Sequence, residues 1–224
     1  NNIQPQYSEK VIKEVSRFTN LPFREPVDMF SFMQNTNAPI RVMLVLKEFA
    51  MHLIKITSDL RLLSSGPRTG FAEITLPSVQ PGSTIMPGKV NPAVLEMVHM
   101  VCCQVIGGEA SVTTAGMAGQ LEINVMMPLV AHTFLDAIEL LSNALPTLVT
   151  KCISGIEAEE ENCKQWMNES LGLVTGISSI VGYDRASKIG MEADERKITI
   201  QQVLEEQGLL TPEIEKALDP KGMV

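Results

Sequence analysis

Pro39-Ile40-Arg41-Val42-Met43-Leu44-Val45-Leu46-Lys47-Glu48-Phe49-Ala50-Met51-His52-Leu53-Ile54-Lys55-Ile56-Thr57-Ser58-Asp59-Leu60-Arg61-Leu62-Leu63 decides how the rest of the chain is read. Apolar residues recur at Val42, Leu46, Phe49, Leu53, Ile56 and Leu60, in steps that alternate between four and three. That alternation lays one continuous stripe along an α-helix, and the proline suits a first helical turn, where its missing N–H is no loss. At about 1.5 Å per residue the helix is roughly 35 Å or more long, the length of a bundle helix. Composition agrees. The chain has 224 residues, enough for one or two domains, with 45% apolar and 20% charged residues, an ordinary globular balance. Aromatic residues are sparse at 4% while methionines number 13. A core of Leu, Ile, Val, Ala and Met favours packed helices over a β-sandwich.

Outward from this helix, residues 7–19 place Val11, Val15 and Phe18 at helical spacing before Leu21-Pro22 ends the run. Asn91-Pro92, read as N-cap and first helical position, opens a helix through Leu95, Val98, Val101 and Val105 to Gly107-Gly108, resuming to about Ala118. Another starts near Pro128 and passes Phe134, Ile138, Leu141 and Leu145 to about Cys152, with a kink predicted at Pro146. After Gly155 come short helices with clear punctuation. One covers 158–171, and Asp184 is a cap for another. Thr199 and Gln202 form a capping box with Gly208 as the stop, and Thr211-Pro212 opens the last. A boundary near 155 divides residues 1–155 from a small helical domain, 156–224. A small hairpin near 70–76 is the only strand expected, so the chain reads as all-α.

The net charge is −8, of which residues 151–224 carry −6. That excess reads as a solvated acidic face, and with no Lys/Arg cluster nucleic acid is not expected as a partner. No uncharged run reaches 18 residues, so no transmembrane helix and no membrane partner are expected. The opening Asn1-Asn2-Ile3-Gln4-Pro5-Gln6 has neither the basic nor the apolar region of a signal peptide, and it lacks an initiator Met, as a fragment or processed product would. Cys102, Cys103, Cys152 and Cys163 fit no ligand spacing and read as buried free thiols of a reducing, cytoplasmic compartment. His52, His99 and His132 each lie alone in apolar helical patterns, as interior or interface histidines do. No metal site and no cofactor are expected.

Residues 64–92 differ from the helices. Between Glu73 and Lys89 lie 15 residues without charge, containing Thr75, Ser78, Ser83 and Thr84 and broken by Pro77, Pro81 and Pro87. A loop this long is functional or disordered, and its neutrality argues against a solvated linker. Lys89 and Asn91 stand together at a helix N-terminus, where exposed N–H groups and an ammonium attract anions. Gly82 and Gly88 allow close backbone approach. Ser83 is a candidate nucleophile or base, its alkoxide stabilised by nearby amides and the lysine. Glu96, one turn into the helix, is either an orienting carboxylate or a complement to the helix dipole.

Gly82-Ser83-Thr84-Ile85-Met86-Pro87-Gly88-Lys89-Val90-Asn91-Pro92 resembles the signature of the aspartase/fumarase superfamily, G-S-x-x-M-P-x-K-x-N-P. Asp59-Leu60-Arg61-Leu62, Ser65-Gly66-Pro67-Arg68, Glu73-Ile74 and Leu76-Pro77 are similar to the same branch, and Leu218-Asp219-Pro220-Lys221-Gly222-Met223 resembles a family C-terminus. Val90 separates the chain from argininosuccinate-lyase-like members. Gln34-Asn35-Thr36-Asn37-Ala38 and Ala118-Gly119-Gln120-Leu121-Glu122-Ile123-Asn124-Val125-Met126 are similar to the aspartase strings Q-N-T-D-A and A-G-Q-L-x-x-N-V-M. Asn37 replaces the acidic residue of the first, Met127 stands where a Glu is common, and Thr175-Gly176-Ile177-Ser178-Ser179 departs from A-L-N-P.

The resemblance implies the C-terminal half of an enzyme about twice as long, with residues 1–155 part of a central long-helix bundle. It implies reversible deamination of L-aspartate to fumarate and ammonia through an aci-carboxylate, without a cofactor. Ser83 would be the general base, with Lys89, Asn91 and Thr84 binding the substrate dicarboxylate. Glu96 would support a histidine outside the chain, and Gly82, Ile85, Met86, Pro87 and Gly88 would complete a mobile catalytic loop. The assembly implied is a homotetramer through the long helices, and the 224 residues alone are expected to be inactive. Two alternatives stand beside this: a fumarate hydratase acting on L-malate, and a non-catalytic helical assembly module.

Overall fold

The computed structural model describes residue 4 and residues 6–219. The rest of the Asn1–Pro5 stretch, and Pro220 onward in the family-like C-terminal string, lie outside the described residues. The described residues form ten α-helices and two strands of two residues each, so the all-α expectation holds.

The described residues divide into two compact units, the first taking those up to Thr57 together with Ala93–Val149, the second Ser58–Pro92 together with those from Thr150 on. This grouping differs from a single cut near residue 155, because the 58–92 segment hydrogen-bonds to residues that follow Ala158.

The first unit holds α1 (Tyr7–Thr19), α2 (Met29–Gln34), α4 (Ala93–Gly116), most of α5 (Met127–Lys151) and most of α3 (Asn37–Leu63). At 27 residues α3 is about 40 Å long and starts two residues before Pro39, where the Asn37 N–H donates to Asn35 Oδ1 at 2.8 Å. Its buried residues are Met43, Ala50, Leu53 and Thr57. Of the expected stripe only Leu53 is buried. Val42, Phe49 and Ile56 are 41–50% exposed, so the apolar surface of α3 is wider than the face this unit covers. In α1 the expected stripe also forms, but none of its residues is buried.

α4 runs unbroken through Gly107-Gly108, against the expected pause. A Cβ on Gly108 would lie 3.0 Å from Thr133 Cγ2 of α5 and 3.4 Å from Met43 Cε of α3, so the glycine serves close helix packing. A Cβ on Gly116 would meet Ile40 and Thr36 of the α3 start in the same way. Contrary to the count of uncharged residues, α4 is long and apolar enough to cross a membrane by length and composition alone. Its buried Leu95, Val98, Cys102, Val105, Val112 and Ala115 line the core of the first unit. Its buried Glu109 is also ion-paired, with Lys47 Nζ of α3 2.6 Å from Oε2 and Thr113 Oγ1 donating to Oε1 at 2.6 Å. These hydrogen bonds hold the Glu109 carboxyl below the usual glutamate range, against the opposing effect of burial.

The second unit contains α6 (Glu160–Glu169), α7 (Val174–Val181), α8 (Tyr183–Arg196), α9 (Ile200–Glu206) and α10 (Pro212–Leu218). Ile177, Ala186, Ile189, Ala193, Ile200, Val203, Leu204 and Ile214 form its core. The Thr199 and Gln202 capping box, the stop at Gly208 with φ +66° and the Thr211 cap before Pro212 form as expected. Asp184 falls in the first turn of α8 while Gly182 occupies the cap, so it complements the dipole instead of capping. α7 covers residues 175–179, the string that departs from the family pattern, and buries Ile177.

β1 (Ile74–Thr75) pairs antiparallel with β2 (Glu157–Ala158), so a long-range pairing replaces the local hairpin expected near 70–76. All four cysteines are free. Cys102 and Cys152 are buried, but Cys103 is exposed and Cys163 half-buried, because one face of each helix is left uncovered. Burial and the neighbouring Cys103 push the Cys102 thiol up to about 11. His99 is half-buried, with its Nδ1 enclosed, while His52 and His132 are exposed.

Candidate active site

The loop that carries Ser83 is closed at its neck by backbone and side chain together. Gly82 N–H donates to Lys89 O at 2.9 Å, and Asn91 Nδ2 donates to Gly82 O at 2.9 Å. α4 begins at Ala93, so Asn91 is not its N-cap; its amide holds the neck instead. A Cβ on Gly82 would run into the Lys89 carbonyl and sit 3.0 Å from Asn91 N, which leaves only glycine at that position. Gly88 adopts φ +78°, the left-handed turn that brings the chain back.

Within the loop, Ser83 Oγ accepts hydrogen bonds from Ile85 N–H at 3.1 Å and Met86 N–H at 3.2 Å. Serine favours this local turn because its short side chain reaches the backbone two and three residues on. The chemical consequence is that two amide dipoles already point at the oxygen, where they would stabilise negative charge. Ser83 is half-buried, while Thr84, Ile85, Met86, Pro87, Gly88 and Lys89 are exposed. Ser83 and Lys89 share the lining of an open cavity of about 370 Å³. Lys89 also borders a second cavity of about 540 Å³, with Thr75, Glu159 and Asn162.

Ser83, Lys89 and Asn91, with Gly82, thus come together in the second unit. Glu96 belongs to the first, half-buried in the first turn of α4, where an acid also suits the helix dipole. The two aspartase-like strings lie in the first unit as well. Thr36 is buried beside the α3 start. Asn124 is buried and donates from Nδ2 to Ala115 O at 3.0 Å, satisfying a carbonyl at the C-terminal end of α4, while its Oδ1 accepts from Met126 N–H at 2.9 Å.

One set of contacts had no counterpart in the sequence reading. Glu159, Asn162, Cys163 and Trp166 meet the strand-side segment 71–75 that leads into the loop. Their i, i+3, i+4, i+7 spacing puts them on one side of a helix, but no local pattern tells which distant segment that side meets.

Comparison with known proteins adds independent findings. A family description for lyases matches residues 1–107, and one for the fumarase C C-terminus matches residues 173–224. An aspartate ammonia-lyase of Helicobacter pylori is 40% identical over all of this chain and 48% of its own length. A class II fumarate hydratase of Rickettsia bellii is likewise 40% identical, over all of this chain and 48% of its own. The cobalt-bound crystal structure of a fumarate lyase:delta crystallin from Brucella melitensis superposes with a TM-score of 0.89 at 40% identity, covering 99% of this chain and 48% of that one. The chain spans about half the length of the curated relatives it matches.

Proposed function

This chain belongs to the aspartase/fumarase superfamily of lyases, and we propose that it supplies the base-bearing loop of a cytoplasmic enzyme that reversibly deaminates L-aspartate to fumarate and ammonia. The observation that carries the chemistry is the pair of N–H groups donated to Ser83 Oγ. As an alkoxide, Ser83 would remove a Cβ proton from L-aspartate. The resulting carbanion delocalises into the adjacent carboxylate as a dianionic aci form, and ammonia leaves from Cα. Lys89 meets the carboxylate whose charge grows in this step, where a positioned cation is worth most. Asn91 has a second Nδ2 hydrogen beyond the one given to Gly82, and it would bind the same dicarboxylate, as would Thr84. Glu96 would orient a histidine from outside these residues. The exposed 83–89 turn closes over substrate and excludes water.

A second reading rests on the 40% identity to a class II fumarate hydratase: the same base and carboxylate ligands would dehydrate L-malate. The aspartase-like strings at 34–38 and 118–126 support the ammonia-lyase. The apolar faces of α3 and α4 support a homotetramer, and the 224 residues on their own would not turn over substrate.

The test is an absorbance assay for fumarate with the whole enzyme, run on L-aspartate and on L-malate. Ser83→Ala should lower turnover on aspartate by roughly 10²–10⁴-fold with the assembly intact. Fumarate from malate alone would move the assignment to a hydratase. Fumarate from neither substrate, in a folded protein, would leave a helical assembly module.

A further inference from the structure

The loop hangs between two anchors. The downstream one is the neck at Gly82, Lys89 and Asn91. The upstream one is made by a single face of α6 and the residue before it. Trp166 Nε1 donates to Phe71 O at 2.8 Å, Asn162 Nδ2 donates to Ala72 O at 2.8 Å, and Cys163 Sγ donates to Glu73 O at 3.4 Å. Thr75 Oγ1 donates to Glu159, whose own N–H donates to Glu73 O at 2.9 Å.

Three consecutive carbonyls, at 71, 72 and 73, therefore each receive a side-chain donor from one helix, Asn162 and Cys163 from one turn and Trp166 from the next. Residues at i, i+3, i+4 and i+7 share one side of a helix, and the 71–73 segment, turned at Ala72 with φ +46°, lies against that side. β1 is only two residues long, so its pairing with β2 sets the register and the Glu159 N–H serves Glu73 O, but the Phe71 and Ala72 carbonyls depend on Trp166 and Asn162. Unpaired, each would lose a hydrogen bond.

Beyond Thr75 two prolines restrict the chain. Pro77 packs at Gly155, where a Cβ would reach Pro77 Cγ, and Pro81 directly precedes the neck. Proline fixes φ, so these two positions narrow the paths the chain can take from residues 71–75 to Gly82 and Ser83.

We propose that this α6 face is a positioning rail for the catalytic loop, and that Asn162 and Trp166 are positioning residues that set where Ser83 stands relative to bound substrate. The proposal rests on the reading of Ser83 as the base. A displaced base lowers the rate of proton removal while the groups that bind the carboxylates still bind them, and displacement of about 1 Å is enough for a roughly 10²-fold loss.

The experiment is steady-state kinetics on the whole enzyme with Asn162→Ala/Trp166→Phe, measured beside Ser83→Ala. The double variant should fold, with wild-type helix content by circular dichroism. Its kcat should fall tenfold or more while KM stays within about twofold. If the double variant does not fold, Trp166→Phe alone, which keeps a ring and removes one N–H, should lower kcat several-fold at unchanged KM. A folded variant with wild-type kcat, or with a raised KM at unchanged kcat, overturns the rail. An inactive Ser83→Ala beside a normal double variant overturns the rail alone. A fully active Ser83→Ala removes the base and the rail together.

Discussion

Gly82 sits where no side chain fits, because the Lys89 carbonyl and the Asn91 amide nitrogen occupy the space a Cβ would need. Gly82→Ala would force the neck apart and with it the Ile85 and Met86 amides that face Ser83. Turnover should drop at least tenfold, while the thermal midpoint moves little, since the loop is exposed and buries no core residue. Lys89→Ala should behave differently from Ser83→Ala. As the proposed carboxylate ligand, its charge would meet a group already present in the ground state and gaining charge in the transition state, so KM should rise and kcat fall together. Initial-rate kinetics on L-aspartate separate the two. The signature residues were legible through their resemblance to the superfamily string, but Asn91's grip on Gly82 was not. The sequence places it beside a helix start, where a cap is the commoner use, and only the return of the loop brings Gly82 within reach.

The α3–α4–α5 contacts show the same division at the scale of elements. Gly107 and Gly108 are indistinguishable in sequence, yet a Cβ on Gly107 meets nothing within 4 Å while one on Gly108 meets Thr133 and Met43. Gly107→Ala should raise the thermal midpoint by about 2–4 °C, since alanine is favoured over glycine in a helix by about 1 kcal/mol. Gly108→Val should lower the midpoint by pushing α5 away. The Lys47–Glu109 pair predicts an asymmetry. Lys47 is 38% exposed and can turn to water, whereas Glu109 is 6% exposed and cannot. Lys47→Met should therefore cost about 3 kcal/mol by stranding a carboxylate, and Glu109→Gln much less. The Glu109 carboxyl is held below its ordinary value in the folded chain. Its contribution is then complete above the unfolded value of about 4.3 and is lost as pH falls through the lower folded value. Thermal melts from pH 6 down to pH 3 should show wild type losing more stability than Glu109→Gln.

Across the whole molecule, large apolar side chains remain uncovered. Val42, Val45, Phe49 and Ile56 lie along α3, Met100 is 66% exposed on α4, and Phe18, Phe23, Phe30 and Phe32 mark the first 35 residues. Patches of this kind drive association. The chain should self-associate, and light scattering that finds a 24.5 kDa monomer at high concentration would count against it. Cys103 offers a local readout. Exposed on α4 beside the buried Cys102, it should react with a thiol reagent at low concentration and become protected as the assembly forms.

Long helices, their order and the signature string are properties of local pattern: periodicity in α3, the capping box at Thr199 and the G-S-x-x-M-P-x-K-x-N-P string need no distant partner to be read. The pairing of Thr75 with Glu157, the choice of Met43 and Ala50 over Val42 and Phe49 as the buried side of α3, and the donors of Asn162 and Trp166 on residues 71–72 depend on which segments meet in space. An apolar or polar pattern records that a face seeks a partner. It does not record which partner arrives, because the same stripe is satisfied by any surface of matching shape and the choice is made by the chain as a whole.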